Sequence, residues 1–128
     1  MGLPAAKQGD QIAATDFHVV ILPLLAIPIL VSLPFTGIID KRLSPDVNIM
    51  GRLAAVQGST ATNSPIHIPP VGTFQTPPHN QGEILTGSPT VFINGKPAAR
   101  STDTAKTCND PVDLPVGKVN ASGTVFIG

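Results

Sequence analysis

The sequence predicts an all-β fold with pseudo-threefold symmetry, its three repeats closed into a circle. Repetition is the first of three observations behind this. Gly95-Lys96-Pro97-Ala98-Ala99-Arg100 returns as Gly51-Arg52-Leu53-Ala54-Ala55 and as Gly2-Leu3-Pro4-Ala5-Ala6. The lead-ins repeat as well. Ser88–Asn94 precedes one copy and Ser44–Met50 another, while a third lead-in, Ser122–Gly128, stands at the end of the sequence with no motif after it. Its missing half is the N-terminus, so Thr124–Ile127 is expected beside Gly2–Ala6. Self-similarity of this kind marks a fold assembled from like supersecondary units. Second, apolar residues alternate over short stretches, as at Val47, Ile49 and Leu53, and no run of ten or more residues carries the caps and period of an amphipathic helix. Third, 14 prolines and 12 glycines are spread evenly along the chain, which sets many turns.

Composition narrows the function classes. At 128 residues the chain reads as one domain, 1–128. Charged residues make up 12% and the formal net charge is zero, which excludes the basic stripe a nucleic-acid partner needs. Low charge with 41% apolar residues also excludes the disordered class. The single cysteine, Cys108, has no partner for an internal disulfide, leaving a reducing compartment or a thiolate ligand as its setting. The N-terminus lacks a positive segment followed by an apolar one, so synthesis in the cytoplasm without a signal peptide is expected.

Taken in order, residues 2–16 read as a strand or loop entering a turn at Gly9-Asp10, where glycine supplies a positive φ. Phe17–Ile39 is a run of 23 residues without a formal charge, long enough to cross a bilayer as a helix. Pro23, Pro28 and Pro34 interrupt it, and each interior proline costs a helix about 3 kcal/mol. The expectation is an extended, proline-broken apolar insertion over about 19–36 rather than one continuous helix. Residues 44–62 form the second unit, with Gly58-Ser59 paralleling Gly9-Asp10. A proline-rich loop follows over about 64–82, stiffened by Pro65, Pro69, Pro70, Pro77 and Pro78. Residues 84–110 form the third unit, in which Val91 and Ile93 alternate with Thr90 and Phe92, and 111–128 close the circle.

One constellation carries chemistry. His18 lies 16 residues after Gly2, His67 lies 16 after Gly51, and Cys108 lies 13 after Gly95. Matching phase in three repeats brings these side chains to one axis, and His79 on the proline-rich loop is expected to add a fourth. Three imidazoles and a thiolate suit tetrahedral Zn²⁺, with iron a second candidate. Four protein ligands leave no open position, which marks a structural site. Small scaffolds need a staple, and one ion would fasten three separate chain segments. In the motif itself, Pro4, Pro97 and the Ala-Ala pairs read as a packing device at a tight corner. Lys96 and Arg100 read as a solvated or interface edge.

The letters Pro97-Ala98-Ala99-Arg100, with the phased copies at Gly51 and Gly2, resemble the PAAR-repeat proteins over about Gly2–Gly128. The resemblance implies a small β-rich cone with a zinc near its point. It also implies one such chain capping the homotrimeric spike of a contractile injection system, type VI secretion or an extracellular phage-tail-like particle, delivered outward and able to carry effector cargo. That role is mechanical, not enzymatic. Two other readings compete. A small zinc hydrolase needs an open metal position and a general base; Glu83 is the one glutamate and HExxH is absent. A membrane-inserted module led by residues 17–39 is compatible with the spike-tip reading, since a point that meets a target membrane transiently could use an apolar segment beside His18.

Overall fold

The computed structural model describes residues 2–128, and all of its regular structure is β. The strands group by repeat. Unit one holds β1 (Leu3–Pro4), β2 (Gln11–Ile21) and β3 (Pro28–Lys41). Unit two holds β4 (Asn48–Ile49), β5 (Arg52–Leu53), β6 (Thr60–Asn63), β7 (Thr73–Phe74) and β8 (Gln81–Ile84). Unit three holds β9 (Phe92–Ile93), β10 (Lys96–Pro97), β11 (Thr104–Thr107), β12 (Leu114–Asn120) and β13 (Phe126–Ile127).

Each unit contributes one antiparallel pair to a closed six-stranded barrel, in the order β12-β11-β8-β6-β3-β2 and back to β12. Closure leaves the barrel proper with no free edge. Every barrel strand sends apolar side chains inward: Ile12, Phe35 with Ile39, Ala61, Ile84, Ala105 and Val119 are all buried in one core.

The motifs form the other end. Met50-Gly51 (φ 53° and 81°) and Asn94-Gly95 (φ 52° and 79°) take positive φ at both central positions, the geometry of two-residue turns, and close the short hairpins β4-β5 and β9-β10. The third hairpin is made by the two chain ends, with Leu3 opposite Ile127 and Pro4 opposite Phe126. The expected circular closure is therefore present.

A ring of backbone hydrogen bonds ties the three copies together. Ala6 N–H donates to Ala99 C=O, Ala99 to Ala55 and Ala55 to Ala6, each at 3.0 Å. All three alanines are fully buried, and any larger side chain would push the strands apart at this crossing. Ile49, Ile93 and Ile127 pack beneath the ring with Ala5, Ala54 and Ala98.

The apolar run 17–39 is extended rather than helical. It forms most of a long regular hairpin, with β2 and β3 paired from Gln11–Ile38 to Ile21–Pro28. The prolines are tolerated for a geometric reason. Pro23 lies in the turn at the tip. Pro28 and Pro34 share the parity of Thr36, whose N–H points away from β2 to Asn63 Oδ1. Their missing donors would have faced the free edge of β3, so no ladder bond is lost.

Candidate metal centre

Each unit passes from the motif ring through a turn into its barrel strand and arrives at the far end of the barrel. There the buried side chains of Asp16, His18, His67 and Cys108 offer ligand atoms that all lie within 4.8 Å of one another. Asp16 and His18 come from β2, two residues apart and so on the same face, with Phe17 turned out between them. His67 comes from the loop after β6, and Cys108 follows β11 directly.

The backbone around these residues is closely held. Phe17 N–H donates to Asn109 Oδ1 at 2.6 Å, Val19 N–H to Asp110 Oδ2 at 2.8 Å, and Asp110 N–H to Phe17 C=O at 2.9 Å. These bonds fasten the Cys108 segment along β2. Asn80 Oδ1 accepts from His67 N–H at 2.8 Å and from Asn63 Nδ2 at 3.1 Å, fixing the histidine loop.

The Asp16 carboxylate is fully buried and collects four partners. Oδ1 accepts from Thr107 Oγ1 and from Asn109 Nδ2; Oδ2 meets His67 Nε2 at 2.8 Å and Cys108 Sγ at 3.4 Å. His18 is different. It is 1% exposed, and among the described residues neither ring nitrogen has a hydrogen-bond partner. Its Nδ1 stands 3.6 Å from Asp110 Oδ2, beyond hydrogen-bond range. Phe74 and His67 flank the ring edge-on, with centroids 5.7 and 5.0 Å away.

A buried imidazole with two idle nitrogens is costly unless something binds it. A metal ion answers that need, and the donor set of two imidazoles, a thiol and a carboxylate suits a borderline divalent ion. Electrostatics agree. Burial pushes the His18 pKa below its ordinary value, against a partial pull upward from Asp110, so the ring is held neutral as a ligand must be. Burial, helped by Asp16, pushes the Cys108 thiol up to about 12, so without a metal it keeps its proton.

The expected fourth ligand, His79, is outside this group. Its side chain is 52% exposed, and Nε2 lies 2.8 Å from Asp113 Oδ1. Pro77-Pro78 and the positive φ of Asn80 (57°) turn His79 outward while the Asn80 amide goes inward to His67. The fourth member of the buried group is Asp16. Glu83 is no member either; it pairs with Lys106 at 3.3 Å.

Comparison with known proteins gives one finding. Residues 75–128, the third unit with the end of the loop before it, match the family model described as PAAR motif. No curated protein and no solved structure matches the chain.

Proposed function

Because this chain belongs to the PAAR-repeat family, whose role is structural, at the spike tip of contractile injection systems, we propose that one copy caps one homotrimeric spike and stiffens its point with a single zinc. The observation that carries this reading is the ring of Ala6, Ala55 and Ala99. It gives one polypeptide a threefold face, the symmetry a trimer offers at its blunt end. Around that face Phe92, Phe126 and Met50 are 57%, 60% and 52% exposed, joined by Val47 and Val125. Apolar side chains so placed favour burial against a partner.

Zinc is the metal we propose, held by His18, His67 and Cys108, with Asp16 as fourth ligand in place of His79. Bound there, it would supply a closed tetrahedral staple between three chain segments rather than a reactive centre. Thr107 and Asn109 would orient the Asp16 carboxylate through its other oxygen. Attachment of effector cargo and outward delivery follow from the same role.

The test is capture by the cognate spike trimer. Wild-type protein is expected to co-elute with it, and Phe92→Asp with Phe126→Asp is expected to abolish co-elution without lowering the melting temperature. Undiminished capture by that double variant would refute docking through the motif face.

A further inference from the structure

The β2-β3 hairpin runs past the candidate metal centre and ends in an apolar point that the spike-docking reading does not use. Leu24 and Leu25 at its tip are 95% and 73% exposed, and Leu30 is 63% exposed. Ile66, Ile68 and Val71 of the proline-rich loop, which joins the hairpin through the β7–β2 pairing, are exposed as well. We infer that this hairpin tip, residues 22–30, is a lipid-contacting wedge that seats in the hydrocarbon of one bilayer leaflet.

Charge distribution is the first support. Two of the segments that build the distal surface, 17–39 and 53–82, are free of Asp, Glu, Lys and Arg, and the carboxylate of Asp110, brought by the segment after Cys108, is turned inward to accept from Val19 N–H. A protein-docking patch ordinarily has a polar, charged rim that sets its register. Here the apolar point has none on either segment, which suits a fluid partner with no fixed register.

Backbone satisfaction is the second. Hydrocarbon offers no hydrogen-bond partner, so an inserted segment must satisfy its own amides. The hairpin is paired to its last residues, Ile21 with Pro28. Leu22 N–H donates to Ile27 C=O at 2.9 Å and Ala26 N–H to Leu22 C=O at 3.0 Å, closing the turn. Along the free edge of β3, Pro28 and Pro34 remove two of the donors that would otherwise face outward.

Length is the third. Val19–Ile21 carry the hairpin about 10 Å past His18 before the turn begins. With the turn added, the reach is comparable to the roughly 15 Å of one leaflet's hydrocarbon.

Flotation of the intact, metal-loaded protein with phosphatidylcholine vesicles tests this. Wild-type protein is expected to float with neutral vesicles, insensitive to salt. Leu24→Asp with Leu25→Asp is expected to lower the bound fraction by more than about tenfold, with capture by the spike trimer unchanged, so that failure here is separable from failure of the docking reading. The chain has no tryptophan. Leu25→Trp therefore supplies a single fluorescent reporter, whose emission should shift to the blue on neutral vesicles and be quenched by brominated acyl chains. No flotation of wild type would overturn the inference. So would binding confined to anionic vesicles and lost in salt, a Leu25→Trp emission that brominated chains leave unquenched, or self-association through the tip in place of partitioning.

Discussion

Asp16 is the residue on which the candidate centre turns. Its two oxygens divide the work: Oδ1 is held by Thr107 and Asn109, while Oδ2 faces His67 and Cys108. In the metal-free chain that second oxygen sits where protons are shared; a metal would replace those protons. Cys108→Ser should therefore cost most of the metal, since a hydroxyl is a poor ligand for zinc, and elemental analysis of purified protein reads the loss. The contributions of His18 and Cys108 to the pH dependence of the metal-free protein are also fixed in sign. An unfolded chain protonates His18 near 6.5, the folded chain only lower, so stability is lost as pH falls below 6.5. At the other limit the unfolded thiol ionises near 9.0 and the folded one near 12, so stability is lost again as pH rises above 9.0. Thermal denaturation in chelator should show a plateau between these limits. With metal supplied, affinity should rise with pH, because binding must expel the Cys108 proton.

Part of this was legible in the sequence and part was not. The offsets of His18, His67 and Cys108 from their motif glycines pointed to one place because in each repeat the first barrel strand, β2, β6 or β11, runs from the motif ring to the far end of the barrel. His79 lies outside the buried group, and spacing says nothing about which way a side chain leaves a proline-stiffened loop. Asp16 carried a signal that went unread: on a strand, residues i and i+2 share a face, so an aspartate two before a candidate ligand histidine points the same way.

At the scale of elements, the units differ most where symmetry is not needed. The turns into the barrel strands are equivalent at Gly9 (φ 93°), Gly58 (φ 95°) and Thr102 (φ 75°). In each, the first residue's N–H is accepted by a side chain three positions on: Lys7 by Asp10, Val56 by Ser59 and Arg100 by Asp103. Thr102 is the odd member, a β-branched residue in a conformation that suits glycine. Thr102→Gly should therefore stabilise the protein by about 1 kcal/mol, measured by denaturant titration. A loss of stability would mean that the turn gains more from threonine than the strain costs. The long hairpin was harder to read than the turns. Its interior prolines argued correctly against a helix, but alternation was hidden because both faces beyond the barrel are apolar. Only the pairing shows that Pro28 and Pro34 fall on edge-facing positions.

For the whole molecule, one chain does what would otherwise take three. The circular repeat was plain from Ser122–Gly128 and Gly2–Ala6, and the structure joins them by the Leu3–Ile127 and Pro4–Phe126 pairs. Barrel closure was not plain, because the strand β12 that seals against β2 has no motif of its own. The result has a polar division of labour along its axis. The motif ring and its apolar border lie at one end; the buried ligand group and the charge-free tip of the hairpin lie at the other. On the proposed reading, a threefold face on a single polypeptide would admit one copy per trimer, and a closed metal centre would admit one ion per copy. Native mass spectrometry of the complex with the spike trimer reads both numbers at once. The expected mass is that of three spike chains plus one chain of this protein and one zinc. Three copies per trimer, or a complex that assembles fully without metal and keeps the same melting temperature in chelator, would contradict it.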